Sequence, residues 1–429
     1  MSAAVRLPAR EVRRSFVLNV VNGGLFDLAE RLIDPPLVLT WFVSRLTASN
    51  LLIGLVAPLG DAGWYLPQIF VSARVQRMPR KMPSYAATAV VRALAWLLLA
   101  AVVWLVDEPL VLLVSFFTLY GVVRIVSGLS GLAFYDVTAK TIPPQQRGSL
   151  FAWRQLLGGL MGLGAGWIVK TVLNSAALPF PHGHAVLFAL YCLAATPAMV
   201  AFIAIREPVG AAIEERVTVG QQLRRGGRLL RRDHVYRRFM AARLSLGLAG
   251  IALPFYAVYA KDILGAPEGM VGVYIAARVA AQLVCNLPWG WLGDRYGNRL
   301  ALRLLAVGNG LTVLTALALV GLVSLLHPQG NWLPYLALPL FVLDGAVRPG
   351  HALAASNYLL EIVAEAERPL SVGLSNTLMG LIVLLSGLGG LLVDLSGFAG
   401  LFLTATALCL AAYVLATGLP EPRQVGRLR

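Results

Sequence analysis

Apolar stretches of about 20 residues recur from one end of this 429-residue chain to the other, separated by short polar turns. A helix rises 1.5 Å per residue, so about 20 residues cross the ~30 Å hydrocarbon core of a bilayer. Lipid offers no hydrogen bonds to the backbone, so only helices and closed barrels can span it. The alternating pattern of a barrel strand is missing here, and only 13% of the residues are charged, against about 25% in a soluble domain. The chain is therefore read as an all-α membrane protein with twelve spans. They lie near 16–43, 50–73, 83–106, 109–134, 149–172, 185–205, 238–260, 269–291, 301–325, 334–357, 370–393 and 398–419.

The formal charge of +15 is a topology signal. Of the 36 Lys and Arg, six (Arg31, Arg92, Arg124, Arg243, Arg278 and Arg348) fall well inside spans and three (Arg45, Lys170 and Lys261) at or beyond the span ends on one side. The other 27 lie on or beside the opposite side. The positive-inside rule then places both termini in the cytoplasm of a cell, or inner, membrane. Arg92 and Arg243 read as snorkelling side chains, and Arg278 as either snorkelling or lining a cavity. Membrane lipids are expected contacts and nucleic acid is not. Cys192, Cys285 and Cys409 all sit in apolar runs, which fits neither a disulfide framework nor a metal site. No cofactor is expected. Most of the nine tryptophans, Trp41 among them, read as an interfacial belt, with Trp64 a possible cavity residue.

An offset of 221 residues carries Pro67 to Pro288, Arg74 to Arg295, Asp136 to Asn357, Lys140 to Glu361, Arg147 to Arg368 and Gly159 to Gly380. One register holding over two loops and the helices between them is an internal repeat of half the chain. The expected organisation is a six-helix bundle over 1–205, a cytoplasmic basic linker over 206–237 forming an amphipathic helix on the membrane surface, and a second six-helix bundle over 238–429. Repeat-built membrane proteins work at the interface of their halves.

The run Gly290-Trp291-Leu292-Gly293-Asp294-Arg295-Tyr296-Gly297-Asn298-Arg299 closes the eighth span. It resembles the cytoplasmic loop motif of the major facilitator superfamily, which also stands after the second span. The copy there keeps Arg74 and Arg77 without the Asp and Gly. In physical terms Gly290 would let neighbouring helices approach closely, and Gly297 would permit a tight turn. Asp294 would accept from an adjacent helix N-terminus, while Arg295 and Arg299 would pair with carboxylates. With Arg74, Arg77, Asp136, Arg147 and Arg368, these residues form the expected cytoplasmic gate. Arg124 followed four residues later by Gly128 resembles the fourth-span pattern linked to proton movement in that family. The glycine-rich fifth span lacks the family's antiporter Gly-Pro step. The resemblance implies that spans one, four, seven and ten line a central cavity.

The sharpest chemical feature is a charged stripe in the first span. At 100° per residue, with Asp27 at zero, Glu30 falls at about −60°, Asp34 at about −20° and Arg31 at about +40°. Ionised groups in mid-membrane cost about 2.5–3.5 kcal/mol each, so the stripe must face water or pair internally. Asp27 and Arg31 stand at i,i+4 and can bridge. A second i,i+4 pair, Asp344 and Arg348, lies in the tenth span.

The functional expectation is a monomeric, alternating-access secondary transporter rather than an enzyme. It would export a small organic compound in exchange for protons, with Asp27 the leading proton carrier and Arg124 tuning it. The alternatives are a uniporter or importer of a polar metabolite or organic anion, in which Arg124, Arg278 and Arg348 would bind the substrate's carboxylate and Asp27 would be structural, and a lipid-moving or non-transporting protein of the same fold.

Overall fold

The computed structural model describes residues 8–76, 78–209, 219–363 and 367–422; of these, the side chains of 68–76, 219, 222, 223 and 369 are outside the description. All regular structure among them is helical. The helices are α1 (Ala9–Leu32), α2 (Thr40–Leu46), α3 (Asn50–Gln76), α4 (Met82–Leu105), α5 (Pro109–Thr141), α6 (Pro144–Leu173) and α7 (His182–Ile203). They continue with α8 (Val219–Arg232), α9 (His234–Ala249), α10 (Leu253–Asp262), α11 (Met270–Tyr296) and α12 (Asn298–Leu326). The last three are α13 (Leu338–Ile362), α14 (Arg368–Ser386) and α15 (Gly389–Thr417).

Twelve spans result. Eight are long and apolar enough to qualify on composition alone, α9 and α10 counting together across a 3-10 turn. The other four are α3, α13, α14 and the first span, whose charges or interruptions reduce its apolar length. That first span breaks because Pro35 and Pro36 cannot donate to a helix ladder. A π-helical turn over Pro35–Leu39 carries α1 into α2, and Thr40 Oγ1 donates to the Pro35 carbonyl at 2.9 Å.

The chain packs as two compact units. The first holds the described residues up to Asp34 and 63–209; the second holds 35–62 with everything from α8 onward. In the first, α1 packs on α6 and α7, and α4 on α5 and α7. Trp64 of α3 lies over Gly128 and Gly131 of α5. In the second, α9 packs on α14 and α15, α12 on α13 and α15, and α11 on α13. Each set of six spans thus repeats one pairing scheme: first with fifth and sixth, third with fourth and sixth, second with fourth. This is the structural form of the 221-residue repeat.

Each unit is filled by aromatics. Trp96, Phe188 and Tyr191 pack at 4.8–5.3 Å between α4 and α7, and Tyr274 stacks on Phe341 at 4.3 Å between α11 and α13. Outward faces such as Val90, Leu94, Leu97 and Leu98 of α4 are apolar and exposed, as lipid contact requires. Trp41 is 2% exposed and belongs to the core of the second unit rather than to an interfacial belt. Trp64 is a packing residue on glycines. Within the second unit, residues 35–62 are tied down by Arg45–Glu268 at 3.4 Å, Lys261 Nζ to the Ser44 carbonyl at 2.8 Å and Asn50 Nδ2 to Asp394 at 2.6 Å.

Part of the basic linker, 210–218, lies outside the described residues. The remainder forms α8, with Arg224, Arg225, Arg228, Arg231 and Arg232 exposed. Its other face is not a membrane-surface face: Leu229 joins the core with Tyr236, Phe239 and Tyr358, and Gly226 sits against Leu374 of α14.

Candidate functional site

The charged stripe of α1 faces the interior of the first unit. Arg31 stands between two carboxylates, 3.8 Å from Asp27 and 3.8 Å from Asp34. The first contact is the i,i+4 bridge that helical spacing predicts. Asp27 rests on α6 at Gly158, where an added Cβ would come within 2.8 Å of the Asp27 Cβ. Glu30 takes the opposite edge of the stripe. Its Oε2 lies 3.1 Å from Arg124 Nη1 of α5, and Tyr191 of α7 donates to its Oε1 at 3.4 Å. Arg124 therefore meets Glu30, not Asp27.

Arg92 of α4 completes this interior. It does not snorkel: it is 3% exposed, its guanidinium lies 4.9 Å from the Phe26 ring, and its Nε and Nη2 have no hydrogen-bond partner among the described residues. Arg92 is close enough to Tyr191 to act on the same hydroxyl as Glu30. Arg124 thus meets the Glu30 carboxylate directly, while Arg92 is linked to it through the Tyr191 hydroxyl. Further along α1, Arg154 of α6 donates to the backbone and side-chain oxygens of Asn19 and to Asn22 Oδ1 at 3.0 Å. Sequence reading placed no role on Arg154, since it sits among inner-end cations.

In the second unit Asp344 meets Arg278 of α11 at 3.7 Å. It does not form the i,i+4 pair expected with Arg348, which has no ion-pair partner among the described residues. Arg278 is fully buried, so it neither snorkels nor lines open space. Arg243 donates to Ser375 Oγ at 2.6 Å instead of reaching a headgroup. α11 and α13 approach closely at Gly345, where an added Cβ would collide with the Arg278 carbonyl, and at Gly350 beneath Trp289. Gly290 has open space around it, so close approach is not its contribution.

The loop motif is built differently from expectation. Gly297 turns the chain at φ +89°, and the space a side chain would need there is filled by the Glu421 carboxylate. Glu421 accepts from the Arg299 backbone N–H at 3.3 Å, at the start of α12. The anion at that helix N-terminus is thus Glu421, four residues past the end of α15. Asp294 is at the last turn of α11, and the Arg295 guanidinium lies 5.7 Å from the Trp291 ring.

The first unit repeats the device. Glu207, four residues past the end of α7, accepts from the backbone N–H groups of Lys81 and Met82 at 2.7 Å, where α4 begins. Lys140 bridges Glu207 at 2.8 Å and Asp136 at 2.7 Å, while Lys81 meets Asp136 at 2.6 Å. Arg147 donates to the Ala139 carbonyl at 2.7 Å, closing the C-terminus of α5. A surface groove of about 490 Å3 opens beside this cap, lined by Arg80, Met82, Pro83, Ala86, Arg206 and Glu207. Arg368 begins α14 and is exposed. Arg77 and the side chain of Arg74 lie outside the described residues. Neither Glu207 nor Glu421 was singled out from sequence; the signal was a Glu-Pro step just after the sixth span of each half.

Residues 239–428 match the sequence profile of the Major Facilitator Superfamily. No curated protein matches the chain. Among solved structures, a D-xylose–proton symporter is similar with a TM-score of 0.73 at 15% identity, covering 96% of this chain and 99% of that one. The nucleoside transporter NupG follows at 0.71 and 12%, covering 94% and 98%. A bacterial homologue of the iron transporter ferroportin, solved in an inward-facing state, gives 0.66 and 13%, covering 96% and 99%. At these identities the likeness is one of fold.

Proposed function

We propose that this chain is a transporter of the major facilitator superfamily, proton-coupled and working by alternating access; the profile match over residues 239–428 and the fold shared with solved transporters support that reading. In this reading it exports a small organic compound across the cell membrane, with both termini cytoplasmic. Glu30 is the carboxylate that trades the proton, and Arg124 is its electrostatic partner. The observation that carries the proposal is the 3.1 Å pair between them, inside a helix bundle and flanked by Arg92 and Tyr191.

The physical logic is one of exchange. Stripping a buried ion pair of one partner costs about 3–5 kcal/mol, because the remaining charge is left uncompensated. A proton arriving on Glu30 therefore cannot leave Arg124 as it was. Losing the charge of Glu30 changes the balance of contacts around Arg124, and a rearrangement of those contacts would link protonation to conformation. Asp27 and Asp34 share Arg31 along the same stripe. They are the reserve acceptors that would pass a proton along α1. At the cytoplasmic ends, the carboxylates of Glu207 and Glu421 grip the N-termini of α4 and α12, supporting those loops as the latch that a transport cycle opens and closes.

The test is a compound panel applied to the purified protein in liposomes carrying an internal pH dye. The proposal expects at least one compound to drive a saturable pH change that scales with protein amount and vanishes with a protonophore. Transport of a compound with no accompanying proton movement would overturn the coupling while leaving a transporter. No transport across the panel would overturn both.

A further inference from the structure

We propose that the face of α13 carrying Arg348 and His351, with Asn309 of α12, is an anion-binding subsite that holds a carboxylate or phosphate group of the transported compound. The inference rests on the transporter reading and deepens it by naming the class of cargo, and it holds for either direction of transport.

Asp344, Arg348 and His351 are spaced i, i+4 and i+7, so they share one face of α13. Asp344 is engaged by Arg278 at 3.7 Å, and Arg278 is itself fully buried. Arg348, half-buried, makes no hydrogen bond or ion pair among the described residues. His351 is exposed, and its Nε2 lies 3.2 Å from Asn309 Oδ1. Asp344, Arg348 and Arg243 of α9 all act electrostatically on that imidazole. Two arginines thus act on it with one aspartate, and that aspartate is already paired with Arg278.

Position decides what can complete the set. His351 is 13 residues from the start of α13 and 11 from its end, roughly 20 Å and 16 Å at 1.5 Å per residue. That is mid-membrane, beyond the reach of a lipid phosphate. An arginine and an imidazole at that depth cannot face hydrocarbon, so the exposure of this face is exposure to a hydrated cavity. A guanidinium fork there suits a planar carboxylate or a phosphate bidentately. The imidazole and the Asn309 amide add hydrogen bonds that a neutral ligand would not repay equally.

The experiment pairs anions with uncharged mates: benzoate with benzamide, succinate with succinamide, glucose 6-phosphate with glucose, and inorganic phosphate alone. Thermal stabilisation is read on the purified full chain, and uptake is read in liposomes. The proposal expects an anion to stabilise the wild-type protein while its uncharged mate does not. Arg348→Gln should raise the half-maximal concentration at least about tenfold, with Arg348→Lys in between. The ligand-free melting temperature should stay near that of wild type, which separates a binding loss from misfolding. Equal stabilisation of wild type and Arg348→Gln overturns the subsite. So does an anion set without effect, and so does transport restricted to the uncharged mates. In that last case the transporter reading survives and the anion reading fails.

Discussion

At Gly345 a single hydrogen is all that fits between α13 and the Arg278 carbonyl of α11. The obstacle is backbone, which cannot rotate away. Gly345→Ala should therefore cost about 1–3 kcal/mol through overpacking and lower the melting temperature in detergent. Gly290→Ala meets nothing within 4 Å and should be neutral or stabilising by about 0.5–1 kcal/mol, as expected in a helix interior. Equal effects at the two sites would contradict the packing described. The same contrast marks how far residue identity could be read from sequence. Helical spacing foretold the Asp27–Arg31 contact because both ends lie on one helix. It could not foretell that Arg124 would meet Glu30, since which edge of the α1 stripe turns toward α5 is decided by how α1 seats on α6 and α7.

Two elements owe their starting points to carboxylates far away in the chain. Glu207 acts on α4 from 125 residues on and Glu421 on α12 from 122 residues on, so no local capping pattern could reveal them. Glu207→Ala leaves the backbone N–H donors of Lys81 and Met82 without their carboxylate acceptor and loses the Lys140 bridge. Glu421→Ala loses one cap contact. An N-terminal cap is worth about 0.5–2 kcal/mol, so both variants should melt earlier, Glu207→Ala by the larger margin. Unchanged melting curves would show that these carboxylates do not hold the helix ends.

A third carboxylate, Glu268, sits in the loop before α11. Burial pushes its carboxyl above the usual range, against the opposing pull of Arg45 and Lys261. A raised value means that the folded state favours the proton. The contribution is present below the ordinary carboxylate range and is lost as pH rises through the raised value. Glu268→Gln keeps the neutral form at every pH. Its melting temperature relative to wild type should therefore climb between mildly acidic and neutral pH. A pH-independent difference between the two would contradict this account.

On the scale of the molecule, the twelve spans were legible because a bilayer leaves one solution to a run of about 20 apolar residues. The repeat was legible because one offset held across loops and helices alike. Its consequence, the same pairing scheme in each set of six spans, needed coordinates. So did the membership of residues 35–62 in the second unit, where Arg45, Ser44 and Asn50 find their partners. The sequence carries the first span through Pro35-Pro36 to residue 43, and the structure shows that a π-helical turn takes it across the two prolines.

The central claim is that the proton rides on Glu30 opposite Arg124. It is tested most directly by measuring uphill accumulation and downhill exchange side by side for wild type, Glu30→Gln and Asp27→Asn in liposomes. The amide mimics the protonated acid, so Glu30→Gln should lose gradient-driven accumulation while retaining exchange, and Asp27→Asn should keep a reduced measure of both. Full accumulation by Glu30→Gln, with the pH profile of the wild-type protein, would contradict the account.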